Sequence, residues 1–174
     1  MPVTPFHFGP GLVFKAVAPR HFSLAVFVGV NVVIDLEPIT WFLLTGDPVH
    51  GLLHTAIGAT VLALICAYWG RSGCEGLLRS WNSSLSPAQS KWLAVVPAIA
   101  PRMAVISALL GAWSHVLLDA LMHADVQLLW PLSASNGIRG LIDLGHLHLL
   151  CVLLGVAGAV RLVVAVASAE SKTL

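Results

Sequence analysis

Four apolar stretches dominate this chain, at 22–44, 51–70, 103–122 and 147–167. Each is about 20 residues long, the length that crosses a hydrocarbon core of about 30 Å as a helix. Lipid offers no partners for backbone amides, so spans of this kind must satisfy them internally, as helices. Composition agrees: 57% of the residues are hydrophobic and 10% charged, with a mean hydropathy of +0.89. Soluble domains run to about 25% charged residues. The expectation is therefore a single all-α, polytopic membrane domain over residues 1–174, with about four transmembrane helices and a short N-terminal re-entrant or interfacial helix. A bilayer is its expected surrounding.

A net charge of +1 and scattered Lys and Arg provide no polyanion groove, so nucleic acid is not an expected partner. Cys66, Cys74 and Cys151 form no CxxC pair, and their spacing builds no disulfide framework. The first eleven residues carry Pro, His and aromatics where a signal peptide would have a basic region, so no cleavable signal is expected.

Between the spans lie a tight turn at 45–50, a polar connection at 71–91 and a longer loop at 124–141. A shorter apolar run, 92–100, contains Pro97 and reads as interfacial or as a kinked lead-in to the third span. Lys15, Arg20, Arg71, Arg79, Lys91, Arg102 and Lys172 cluster on one side of the alternating spans. Basic residues favour the cytoplasmic side, so both termini are expected in the cytoplasm, with the chain in the cytoplasmic membrane.

Ionisable side chains inside such spans cost about 2.5–3.5 kcal/mol each on insertion scales, and this chain carries several. Asp35 and Glu37 lie in the first span, His50 and His54 open the second, and His115 and Asp119 lie in the third. His123 and Asp125 follow, and Asp143, His146 and His148 lie at the start of the fourth. At 1.5 Å per residue Asp35 is about 20 Å into its helix, and Asp119 about 25 Å beyond Arg102. The helices alternate in direction, so Asp35, His54, His115 and Asp119 are expected to meet in one layer, the outer half of the membrane.

Spacing sharpens the group. His50 with His54, and His115 with Asp119, are i,i+4 pairs, which place two donors on one helix face. Imidazole mixed with carboxylate suits Zn, Mn or Fe rather than Ca. The expected metal ligands are thus Asp35, His50, His54, His115 and Asp119 around one or more divalent ions, with zinc first. Plainer alternatives stand beside this. His115 and Asp119 can be a hydrogen-bonded pair that ties helices together. Asn31, one turn before Asp35, can satisfy it locally. His50 can be a solvated turn residue, and one of His146 and His148 an interfacial side chain.

The motifs together resemble the membrane-bound metal-dependent hydrolases of bacteria and archaea. The elements are His7 in Pro5-Phe6-His7-Phe8-Gly9-Pro10-Gly11, then Asp35-Leu36-Glu37-Pro38, then His50-Gly51-Leu52-Leu53-His54-Thr55. Ser114-His115-Val116-Leu117-Leu118-Asp119 follows, with Leu129-Trp130-Pro131 behind it. Gly51 stands where that family usually has a basic residue, and Met122 where it often has Thr. More distantly the pattern is similar to zinc-dependent phospholipase C. The resemblance implies a hydrolase whose His and Asp residues hold divalent metal, and it adds His7 to the ligands. For His7 to arrive there, a short helix from Pro10 must re-enter the bundle; the alternative leaves His7 in solvent on an interfacial helix.

The expected activity is metal-assisted hydrolysis of a phosphoester on a lipid or lipid-linked substrate. Glu37 is the candidate general base, or a bridging or supporting group, with Pro38 beside it as a point where the helix can break. The competing class is a non-enzymatic membrane metal-binding or ion-handling protein.

Overall fold

The computed structural model describes residues 5–170. Their regular structure is all helical, with no strand among them. A single 3-10 turn, Pro5–His7, leads into α1 (Phe8–Val17). Then come α2 (Leu24–Thr45), α3 (Ala56–Ile65), α4 (Arg71–Ser84), α5 (Pro87–Leu93), α6 (Pro101–Met122) and α7 (Leu144–Glu170). Four helices are long and apolar enough to cross a membrane: Leu24–Thr45, Ala56–Ser84, Pro101–Met122 and Leu144–Ser168. Lys172, part of the orientation argument, lies outside the described residues.

At the centre is α6. Within its apolar window 44% of residues are buried, against 11% for α7, so α6 is the most enclosed of the four long helices, with α2 and α3 packed against it. Ala104, Ala108, Ala112, Val116 and Ala120 recur every four residues and are all buried. Such a stripe of small side chains lets α2 and α3 approach closely, the packing expected where lipid rather than water surrounds the helices. Gly111 makes the closest approach: a Cβ there would lie 2.5 Å from Val30 Cγ1. Large apolar side chains face outward instead, among them Leu43, Leu44, Val156, Val160 and Val163. Exposure on that scale marks a lipid-facing surface.

The ends of the helices differ in places from the sequence expectation, for identifiable reasons. Pro38 does not break α2, which runs unbroken to Gly46, whose φ of 84° is the left-handed conformation glycine favours at a helix end. The second long helix begins at Ala56 rather than near residue 51. Thr55 caps it, its Oγ1 accepting from Gly58 N at 3.0 Å, and Leu128 O accepts from Ala56 N at 2.8 Å. Nor does this helix stop near residue 70. It passes through a wide π turn, Cys66–Gly70, and continues as α4, because no Pro interrupts it before Pro87.

The 92–100 run is helical only as far as Leu93 and then extended. Extended backbone beside a membrane needs partners, and α4 supplies them. Asn82 pairs with both Val95 groups, its Nδ2 donating to the carbonyl at 2.7 Å and its Oδ1 accepting from the N–H at 3.0 Å. Trp81 Nε1 donates to Leu93 O at 3.0 Å, and Glu75 Oε1 accepts from Ile99 N at 3.0 Å.

Helix α1 decides where His7 goes. It runs alongside α7 in the same direction: Gly9 lies against Cys151 and Gly155, Leu12 against Gly158, and Ala16 beside Arg161. A Cβ on Gly9 would fall 2.1 Å from Cys151 O, and one on Gly158 2.5 Å from Leu12 C. Any side chain at these positions would push the two helices apart. Arg161 Nε donates to Ala16 O at 3.2 Å, and Lys15 Nζ donates to Pro19 O and Phe22 O at 2.9 and 3.0 Å. The end of α1 is therefore tied to α7 and to the 19–22 turn, and its start is directed at α6. The short N-terminal helix packs along α7 at the depth of its residues 151–161, not across its end.

Candidate metal centre

The floor of the centre is built on α6. His115 and Asp119 are one turn apart and both are buried. Asp119 Oδ2 lies 3.1 Å from His115 Nε2 and 3.3 Å from His54 Nε2. Asp35, from α2, places Oδ1 3.4 Å from His115 Nε2. One donor atom from each of Asp35, His54, His115 and Asp119 falls in a group no more than 4.8 Å across. Four donors on a tetrahedron about 2.0–2.1 Å from a zinc ion would sit about 3.3–3.4 Å apart. The three imidazole–carboxylate separations, 3.1–3.4 Å, are of that size.

Supporting side chains fix which ring nitrogen faces the centre. Asn31 Nδ2 donates to Phe27 O at 2.7 Å, so its Oδ1 is left to accept from His115 Nδ1 at 2.9 Å. Asn31 therefore serves His115, not Asp35. Glu37 does the same for His54, its Oε2 accepting from Nδ1 at 2.9 Å. In the neutral form of these rings, with both Nδ1 atoms protonated and donating outward, each Nε2 carries a lone pair aimed inward. These two Nε2 atoms are buried and have no hydrogen-bond partner. They face carboxylate oxygens at 3.1–3.4 Å, so a positive charge belongs between them, either a proton that makes the ring an imidazolium or a metal ion.

Glu37 does more than orient His54. Its Oε2 also accepts from Gly51 N at 3.0 Å and its Oε1 from Leu53 N at 3.1 Å. Asp35 and Glu37 are two residues apart, about 200° around a helix, and so address different neighbours. Asp35 faces α6, while Glu37 holds the 51–54 segment. That segment is a 3-10 turn, Leu52–His54. His50 and His54 consequently do not share a helix face; the carboxylate of Glu37 gathers the backbone there into a tight loop instead. Their rings still meet edge to face, with centroids 4.6 Å apart.

His7 reaches the centre. Its Nε2 is 3.2 Å from Asp119 Oδ1, and its ring stacks on that of His115 at 4.3 Å. Phe6, beside it, stacks on His148 at 4.2 Å. His148 thus props the N-terminal turn. His146 pairs with Asp143 on the exposed surface. Among the described residues neither belongs to a metal-sized group.

A second group lies nearer the surface. Single donor atoms of His50, His123 and Asp125 also fall within 4.8 Å of one another. Asp125 Oδ2 accepts from His50 N at 3.0 Å and lies 2.8 Å from its Nδ1. The rings of His50 and His123 stack at 4.5 Å. Asn136 positions His123 by donating from Nδ2 to Ala120 O and His123 O at 2.8 and 2.9 Å, which closes the end of α6. Burial lowers the pKa of His123 below the ordinary histidine value, and the nearby Asp119 and Asp125 carboxylates do not fully offset it. Burial raises that of Asp125, but the His50 N–H and ring outweigh it and hold this carboxyl below its usual range. The roles of Asn31, Asn136 and Asp125 depend on long-range proximity, and no local spacing in the sequence marks them.

Comparison with family models, with curated proteins and with solved structures finds no match to this chain.

Proposed function

We propose that the protein is a membrane-embedded, metal-dependent hydrolase that acts on a phosphoester of a lipid or lipid-linked substrate. One observation carries the reading: two buried Nε2 lone pairs, with tautomers set from behind by Asn31 and Glu37, converge with two carboxylates. Asp35, His54, His115 and Asp119 would hold the ion, and His7 would close the side of Asp119 turned away from His54. The donor set favours zinc, with manganese or iron next. Such an ion supplies Lewis acidity and lowers the pKa of water beside it.

The protein's own groups do the rest. His54, His115 and Asp119 are almost fully enclosed, while the Asp35 side chain retains 15% of its exposure. Substrate would approach over Asp35. The ionisable groups of the site lie in the half of the bundle where α6 ends and α3 begins, with Asp35 midway along α2. With the basic 71–102 region on the cytoplasmic side, that layer lies in the outer half of the membrane and opens toward the outer headgroups. A phosphoester held in a headgroup is the chemistry within reach there. The resemblance to membrane-bound metal-dependent hydrolases points the same way.

Two measurements test this. Protein purified in detergent should carry at least one equivalent of a transition-series divalent metal. It should also release phosphate or alcohol from a panel of lipid phosphomonoesters and phosphodiesters, with activity lost to a chelator and regained with Zn2+ or Mn2+. Metal-replete protein that hydrolyses none of the panel but carries Zn2+ across liposome membranes would replace this reading with ion handling. For orientation, reporter fusions at the C-terminus should report from the cytoplasm and insertions near Ser133 from the outer side. A C-terminus on the outer side refutes the proposed arrangement.

A further inference from the structure

The geometry points to a second divalent cation, held by His50, His123 and Asp125 and joined to the first through Asp119. This rests on the reading of the floor as a metal site and extends it to a two-metal centre.

Asp119 is the hinge of the argument. Its two oxygens serve opposite sides. Oδ2 faces His54 and His115 at 3.3 and 3.1 Å, while Oδ1 faces His7 at 3.2 Å and His123 Nε2 at 3.9 Å. A carboxylate that only completed the floor would need one oxygen there. The other, 3.2 Å from His7 Nε2, also lies at the edge of the group containing His50, His123 and Asp125, 3.9 Å from His123 Nε2, and that group is itself compact enough for one ion. Carboxylates placed this way bridge ions about 3.5–4 Å apart.

Charge gives an independent argument. Asp35, Glu37, Asp119 and Asp125 bring four carboxylates together, and among the described residues the basic side chains beside them are histidines. With neutral histidines one divalent ion leaves an excess of about two negative charges on the group, of which only Asp125 is well exposed, and that is costly. Two divalent ions balance the four carboxylates. A purely structural role for Asp125, pinning the His50 backbone and ring, accounts for its contacts with the His50 N–H and Nδ1. It leaves unexplained the His123 ring stacked over His50 beside two carboxylates.

The second position is the more open one. The Asp125 side chain is 44% exposed and that of His123 25%, against 0% for His54 and His115. An ion there keeps coordination positions free for water and a phosphoryl oxygen, whereas the floor ion is nearly enclosed by protein. The chemistry this suits is in-line displacement at phosphorus, with one ion beside the attacking oxygen and the other beside the leaving oxygen.

The test is a metal count. Wild-type protein loaded with Zn2+ and freed of excess should hold two equivalents per chain. Either His123→Ala or Asp125→Asn should reduce this to one, and Asp35→Ala combined with His115→Ala should remove the floor ion. Loading with Mn2+ should produce the electron-paramagnetic signature of two coupled ions, which needs no variant and so decides the matter even if a substitution prevents folding. One equivalent in wild type, unchanged in His123→Ala and without Mn2+ coupling, would overturn the second ion and leave the floor site standing. No bound metal in folded wild type would overturn both.

Discussion

Changing Asp119 to Asn should abolish metal binding and activity together while leaving a folded protein. Asp119 stands at the focus of the site: the Nε2 atoms of His7, His54 and His115 all lie within 3.3 Å of one of its oxygens. Loss of a group that merely supports a ligand costs about 10–100-fold in metal affinity. Loss of the shared ligand itself should cost more than about 100-fold. The amide has a second effect that the charge change alone would not cause. It brings an N–H donor into a pocket of acceptors and can satisfy one bare Nε2, of His54 or His115. Metal-free Asp119→Asn should therefore unfold at a temperature no lower than metal-free wild type. Added Zn2+ should raise the unfolding temperature of wild type, since a ligand at 100 times its Kd adds about 2.7 kcal/mol, but leave the variant unchanged. A variant that keeps normal metal content, or that gains stability from Zn2+ as wild type does, would remove Asp119 from the site.

The convergence of α2, the 50–54 loop and α6 was legible because it needs little information. Four apolar spans alternate in direction, and a charge far along one span must meet one that opens the next. The i,i+4 spacing of His115 and Asp119 then determines their common face without any tertiary knowledge, and in α6 they share that face. The same spacing misled at His50 and His54. Periodicity there reads as helix, but the Glu37 carboxylate gathers the amides of Gly51 and Leu53 and holds the chain in a tight turn. That competition between side-chain acceptor and helix is decided by a residue on another element, so no local window contains it. The length of α4 was hidden for a related reason. Polar composition after residue 70 looks like a loop, yet only Pro87 stops the helix, and the exposed side chains of α4 have their own task in binding the extended segment at 94–100. His7 was within reach only if α1 entered the bundle, which depends on Gly9 and Gly158 permitting backbone contact with α7.

Glu37 separates two mechanisms, and its replacement should show which one operates. As a general base it would act on water and leave metal affinity intact. Its contacts instead make it a positioning residue: both oxygens are engaged, with Gly51 N and His54 Nδ1 on Oε2 and Leu53 N on Oε1. A carboxylate accepting three hydrogen bonds has little capacity left to take a proton from water. Glu37→Ala would release the loop that carries His54 and leave its Nδ1 without an acceptor. Hydrogen bonds to charged groups contribute about 1.5–3 kcal/mol each, so the folded state should lose several kcal/mol and metal affinity should fall about 10–100-fold. Glu37→Gln is the sharper variant. Its amide oxygen can still accept from Leu53 N, but the NH2 group placed at the Oε2 position meets two donors, Gly51 N and His54 Nδ1, and must displace one or force His54 to its other tautomer. That tautomer puts a proton on Nε2, where the ion should bind. Glu37→Gln should therefore lower zinc affinity about 10–100-fold and lose activity at low metal. Activity should return substantially at saturating Zn2+, with the pH profile unchanged. If instead metal affinity is normal, activity stays low at saturating Zn2+ and the acidic limb of the pH profile disappears, Glu37 is the base and its hold on His54 is secondary.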